Sequence, residues 1–134
     1  MPMASHFEPW LGTAELPLPL RPAAAAIARR FVAGQVADLD AQRRGDALLL
    51  VTELVANAVR HGCGPIELRV GRGPTWLDIG VHDDGAGLPA PAALSDQAQT
   101  TGRGLRLVDA LAQHWGVLLD RDQAGKTVWC ELRL

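Results

Sequence analysis

The longest regular pattern of apolar and polar positions in this chain runs over residues 41–61 and predicts a helix with a wide apolar face. Residues four apart lie one above the other on a helix, so Glu53, Asn57 and His61 form a polar stripe within that apolar segment. Asparagine is a mediocre helix former, and polar groups inside an apolar face need partners. The stripe is therefore a candidate ligand-binding surface, while a solvated or internally bonded face is its structural alternative.

Shorter patterns predict the other elements. Asp40 is a plausible N-cap for the long helix, and proline at position 22 suits the first turn of an earlier helix. Two segments that alternate apolar and polar residues, separated by a glycine- and proline-containing turn, predict two strands. Residues 83–101 are rich in Gly, Pro, Ala and Ser, and long connections of this kind often form functional lids. The predicted elements are helices at 23–37, 41–61 and 102–113, and strands at 10–16, 66–70, 76–82, 117–120 and 127–132.

The order of these elements predicts an α/β (α+β) two-layer sandwich, in which helices cover one face of a mixed or mostly antiparallel sheet. Pro17 and Pro19 are expected to close the first strand. We expect residues 1–9 to be a flexible N-terminal segment and residues 10–134 to form one domain.

Composition narrows the possible classes of function. The chain has 134 residues, of which 48% are hydrophobic and 21% charged, as in globular domains. A formal net charge of -2 gives no support for binding nucleic acid through bulk electrostatics. No apolar run is long enough to span a bilayer, and the first residues do not resemble a signal peptide, so a cytoplasmic location is expected. The two cysteines, Cys63 and Cys130, are expected to be free and packed.

A second candidate motif is Asp83-Asp84-Gly85-Ala86-Gly87, directly after a predicted strand. Aspartate and glycine favour turns, so an acidic turn is the structural alternative. A carboxylate at a strand end can also accept a hydrogen bond from an amino group such as that of adenine. The glycines would let the backbone approach a flat ligand closely.

A third motif, Thr101-Gly102-Arg103-Gly104-Leu105, opens the last predicted helix. Its structural alternative is a loop-to-helix junction capped by threonine. Glycines at a helix N-terminus can instead expose backbone N–H groups to phosphate, and the arginine could add charge there or face a partner protein.

The segment Gly125-Lys126-Thr127 resembles the end of a phosphate-binding P-loop. The earlier glycine of that motif is absent, since position 120 is Asp120, and the segment precedes a strand instead of a helix. We therefore reject a P-loop.

Taken together, the order, spacing and type of the three motifs resemble the GHKL (Bergerat-fold) ATP-binding superfamily, which includes histidine kinase-like ATPase domains. The pattern Glu53-Leu-Val-x-Asn57-Ala-Val-x-His61-Gly, with Gly-Lys-Thr-Val-Trp near the end, is similar to one branch. That branch contains the small anti-sigma-factor serine kinases and related ATP-binding regulators of actinobacteria. The resemblance covers the chain from about residue 22 to the C-terminus.

The resemblance implies a role for each matching residue of the helical stripe. Asn57 would coordinate the Mg²⁺ that bridges the ATP phosphates, and Glu53 would activate the attacking hydroxyl group. His61 would orient Glu53 or touch phosphate, or else would only cap the helix end.

The resemblance also assigns the other two motifs. Asp83 would accept a hydrogen bond from the adenine amino group, Gly85 and Gly87 would shape that wall, and Thr127 would lie near adenine. Residues 89–101 would form the ATP lid. The residues expected at its phosphate-binding hinge are Thr101, Gly102, Arg103, Gly104 and Leu105.

The implied function is that of an ATP- and Mg²⁺-dependent anti-sigma factor with protein serine kinase activity. Its partners would be an anti-anti-sigma (STAS) domain and a sigma factor, and it would form a homodimer, without direct contact to nucleic acid or membrane. The lid has no Lys or Arg before Arg103, which leaves open a binding module that switches partner affinity without phosphoryl transfer. A third reading is the ATPase domain of a split histidine kinase, and a fourth, an ATPase of the gyrase or MutL type, would need a larger transducer domain.

Overall fold

The computed structural model describes residues 14–85, 104–121 and 125–134. These residues form five strands and three helices. In chain order the elements are β1 (Ala14–Leu18), α1 (Ala23–Gln35), α2 (Ala41–His61), β2 (Ile66–Arg72), β3 (Trp76–Asp83), α3 (Gly104–Leu111), β4 (His114–Leu119) and β5 (Lys126–Arg133).

The five strands form one open sheet in the order β1-β2-β3-β5-β4, and all neighbouring strands are antiparallel. The connection from β3 to β5 runs through α3 and β4, so β5 pairs with β3 on one side and with β4 on the other. The predicted α/β architecture with a mostly antiparallel sheet is confirmed. The central strand β3 has a partner on each side from Leu77 to Asp83.

One face of the sheet packs against the helices. Successive side chains of a strand point to opposite faces, and the register places Leu68, Val81 and Val128 in one row on the helix-facing side. All three are buried, as are Leu50, Leu54 and Val55 of α2. The core therefore lies between the sheet and a central helix. By the same alternation, the helix-facing row at the end of β3 contains Ile66, Asp83 and Lys126.

Helix α2 has the bounds expected from its sequence. The Asp40 carboxylate accepts a hydrogen bond from the Arg43 N–H at 2.8 Å, which caps the first turn. At the other end the Gly62 N–H bonds the Ala58 carbonyl at 2.7 Å, and the chain then leaves the helix in an extended conformation.

Several predicted ends are wrong. The first strand continues through Pro17 to Leu18, because an edge strand does not need the N–H that proline lacks. Helix α1 ends at Gln35, two residues early, and α3 ends at Leu111. Strand β2 extends to Arg72, and β4 begins at His114, since pairing with β5 starts there.

Among the described residues, no helix is long and apolar enough to cross a membrane. Both cysteines are free; Cys130 is buried as expected, whereas Cys63 is exposed and the expectation that it is packed is wrong. The predicted N-terminal segment 1–9, the first four residues of the predicted strand 10–16 and the predicted lid 89–101 lie outside the described residues.

Candidate functional site

The buried carboxylate of Asp83, at the end of the central strand β3, is the focus of the site. Its side chain is 1% exposed. Oδ1 accepts the Gly85 N–H at 2.7 Å and the Cys63 N–H at 3.4 Å. A carboxylate in such a position needs compensation for lost hydration, which these backbone donors supply in part.

The neighbouring strand supplies a cation. Lys126 is the register partner of Asp83 on β5, and both side chains point to the helix-facing side of the sheet. The Lys126 Nζ lies 3.1 Å from Oδ1 and 3.1 Å from Oδ2 of Asp83. Lys126 is the only lysine of the chain and is 5% exposed. The two residues thus form a buried ion pair. Sequence reasoning missed it because Lys126 was considered only within the rejected P-loop and the pattern near the chain end, and was given no role of its own.

The C-terminal end of α2 lies directly against Asp83. A Cβ at Gly62 would be 3.0 Å from the Asp83 Cγ, and the Asp84 N–H donates to the Cys63 carbonyl at 3.0 Å. Gly64 has φ +65, a conformation that side chains disfavour, and a Cβ there would be 3.1 Å from Asp84 Cβ. These glycines therefore allow the helix end and the strand end to meet.

The polar stripe of α2 begins at this junction and runs away from it. His61 is the last helical residue, and Asn57 and Glu53 lie about 6 and 12 Å further back along the helix axis. Asn57 is buried, at 8% exposure, whereas Glu53 and His61 are half-buried. A ligand anchored at Asp83 could therefore extend past His61 and Asn57 towards Glu53.

The His61 imidazole carries an unsatisfied buried atom. Its Nε2 is inaccessible to solvent and has no hydrogen-bond partner among the described residues. Burial, together with the charges of Arg60 and Lys126, lowers the pKa of His61. A neutral imidazole interacts weakly with the helix dipole, so the capping role has little electrostatic support.

Gly85 is required by the close approach of the chain to the ion pair. A Cβ at this position would lie 2.6 Å from Asp83 Oδ1 and 3.1 Å from Lys126 Nζ. Any side chain would therefore displace one of the two charged groups. Gly85 therefore lies directly against Asp83, and its role in an adenine-binding wall stays a prediction.

Thr127 is not where the resemblance placed it. It pairs with His82, so its side chain points to the face of the sheet opposite to Asp83. Lys126, one residue earlier, occupies the position beside Asp83. The resemblance therefore assigned the position beside Asp83 one residue too late. Successive side chains of a strand point to opposite faces, so a difference of one residue places the side chain on the wrong face of the sheet.

The remaining predicted residues are only partly described. Gly104 is the first residue of α3, and Leu105 belongs to its first turn. Gly87, Thr101, Gly102 and Arg103 lie outside the described residues. The described part of the site therefore offers a buried acidic acceptor, a buried ammonium and an amide-carboxylate stripe.

Comparison with known proteins gives a consistent picture. A family model described as histidine kinase-like ATPase domain matches residues 18–132. The sensor histidine kinase PdtaS of Mycobacterium tuberculosis is 34% identical over 103 residues, which cover 70% of this chain and 20% of that protein. The corresponding protein of Mycolicibacterium smegmatis is 36% identical over 84 residues, or 58% of this chain and 16% of its own length. The matched region thus covers only about a fifth of the length of these curated relatives.

Proposed function

The chain belongs to the histidine kinase-like ATPase domain family, and from that premise we propose that it binds ATP with Mg²⁺ and regulates a partner by phosphoryl transfer. The observation that carries the proposal is the buried Asp83 carboxylate at the strand end, against which the chain packs closely at Gly85. A carboxylate accepts the hydrogens of an adenine amino group, and the stripe of α2 leads away from it towards Asn57 and Glu53.

The donor set fits Mg²⁺ and phosphate. The Asn57 side chain offers a carboxamide oxygen, a hard donor of the kind that Mg²⁺ accepts beside phosphate and water. The metal would neutralise charge on the phosphates. Glu53, one helical turn from Asn57, is half-buried and could accept the proton of an attacking hydroxyl group.

The acceptor we propose is a serine hydroxyl of a STAS-type anti-anti-sigma domain, and the protein would hold a sigma factor in its other state. The support is the Glu53 carboxylate itself, because a switch that only binds nucleotide needs no general base. The protein would work in the cytoplasm, as a homodimer, and without direct contact to nucleic acid.

The test is transfer of radiolabel from ATP to a candidate STAS partner, for the wild type and for Glu53→Gln. We expect label on the partner with the wild type and a reduction of about 100-fold or more with the variant, because general base catalysis contributes about that much. Nucleotide binding should be unchanged in the variant. Tight ATP binding with no label on any partner would contradict the kinase and favour a non-catalytic switch.

A second candidate is the ATPase domain of a sensor histidine kinase, and the similarity to the PdtaS proteins favours it. The acceptor would then be a histidine on another segment or chain. The two candidates differ in the stability of the product. Label that survives acid indicates phosphoserine, whereas label that is lost in acid and retained in base indicates phosphohistidine.

A further inference from the structure

We propose that Lys126 is a positioning residue for base recognition: it holds Asp83 as a carboxylate and directs its Oδ2 towards the adenine amino group. The inference deepens the proposed function and rests on it. Lys126 occupies the helix-facing position of β5 beside Asp83, where the resemblance implied a threonine near adenine.

The hydrogen bonds of Asp83 are unequally divided between its two oxygens. Oδ1 receives three donors, namely the Gly85 N–H, the Cys63 N–H and the Lys126 Nζ. Oδ2 receives the Lys126 Nζ at 3.1 Å. A carboxylate has about four acceptor sites on its two oxygens. As far as the described residues go, the capacity left for a ligand is therefore on Oδ2.

The ammonium also determines what Asp83 can recognise. A charged carboxylate only accepts hydrogen bonds, whereas a protonated carboxyl group also donates one. The ionised form therefore complements the amino group at position 6 of adenine and repels a carbonyl oxygen there. A protonated Asp83 would instead complement the carbonyl oxygen of a 6-oxopurine such as hypoxanthine.

Lys126 is the cation in contact with Asp83 among the described residues. The neighbour of Asp83 on β2 is the apolar residue Ile66. At the end of α2, Cys63 donates its backbone N–H to Asp83. Burial and the charge of Lys126 disfavour the cationic form of His61, the last residue of α2. On β3 itself, His82 points to the opposite face, where its Nε2 lies 2.9 Å from Asp120 Oδ2, and Asp84 is exposed. Without Lys126, the buried Asp83 would have no counter-charge and would take up a proton at higher pH.

The experiment is calorimetry of ATP and of inosine triphosphate, in which a carbonyl oxygen replaces the amino group, at pH 6 to 9. For the wild type we expect ATP to bind about 10-fold or more tightly than inosine triphosphate, because only ATP can donate a hydrogen bond to the charged carboxylate. For Lys126→Met we expect this preference to be lost at pH 6 to 7 and to return as the pH rises. Lys126→Arg should retain it at every pH.

A matched control is Arg69→Met, which removes a strand cation that bonds Glu67 at 3.0 Å on the other face of the sheet, and it should behave like the wild type. If Lys126→Met does not fold, the double variant Asp83→Asn with Lys126→Met removes both buried charges. It should lose the preference for ATP without any dependence on pH.

Three results would overturn the inference, and they are distinguishable. If the wild type prefers ATP and Lys126→Met keeps that preference at every pH, Lys126 has no such role while the proposed function stands. If the double variant keeps the preference, Asp83 does not recognise the base, and the role of Lys126 fails together with that assignment. If the wild type binds no ATP under any condition, the proposed function fails and the role of Lys126 fails with it.

Discussion

Asp78 of the central strand β3 is expected to reduce the stability of the protein at neutral pH. The side chain is fully buried, and within the described part of the chain neither carboxylate oxygen has a hydrogen-bond partner. It lies on the sheet face opposite to Asp83, directly beside buried Glu131 of β5. Burial, and then the charge of Glu131, raise the pKa of Asp78 to about 8.

The sign and size of the effect follow from that shift. Below pH 3.8 the carboxyl group is protonated in both states, and above about 8 it is ionised in both. Between these limits the folded state holds a proton that the unfolded state has lost, so the free energy of unfolding falls as the pH rises. Each pKa unit corresponds to about 1.4 kcal/mol, so the loss is about 6 kcal/mol at most. The substitution Asp78→Asn removes this loss, because an amide does not ionise, but it adds an unpaired buried amide, which costs about 1–3 kcal/mol.

We therefore expect Asp78→Asn to be more stable than the wild type at pH 9 by up to about 3–5 kcal/mol, and no more stable at pH 4. Urea unfolding followed by tryptophan fluorescence at several pH values measures the difference. Asp46→Asn, on the surface of α2 with a bond to Gln42, is the matched control and should show no such trend. A difference between Asp78→Asn and the wild type that is the same at every pH would refute the reasoning.

Three further predictions follow from the core and the site. Leu54→Ala, at a fully buried position of α2, should lower the free energy of unfolding by about 2–5 kcal/mol, measured by urea titration, and a loss below 1 kcal/mol would contradict the packing described. Gly85→Ala should weaken ATP binding in calorimetry, since its Cβ would lie 2.6 Å from Asp83 Oδ1. Gly45→Ala, where a Cβ meets nothing within 4 Å, should leave binding unchanged and stabilise the helix by up to about 1 kcal/mol. Glu53→Gln should bind ATP normally yet transfer little phosphate; equal transfer would show that Glu53 is not the base.

Local signals in the sequence predicted those elements whose ends are determined locally. Helix α2 begins after the capping Asp40 and ends before Gly62, so both bounds could be predicted. Strand ends were predicted less well, because they depend on pairing with distant segments. The start of β4, for example, is set by the pairing of His114 with Glu131 of β5.

The same distinction explains what sequence reasoning missed in the site. The motif containing Asp83 and Gly85 can be recognised along the chain, but the ion pair joins residues 43 positions apart. A one-residue difference in strand register decides whether Lys126 or Thr127 faces Asp83, and no local pattern fixes it. Asp78 is a polar residue of the alternating segment 76–82, yet tertiary contacts bury it.

The most direct test of the proposed function is calorimetric titration of the wild type and Asp83→Asn with ATP in the presence of Mg²⁺. We predict binding of one nucleotide per chain by the wild type and affinity lower by about 10-fold or more in the variant, since the amide cannot replace a charged acceptor. Absence of binding by the wild type, or equal affinity of the two proteins, would contradict the assignment of a nucleotide site at Asp83.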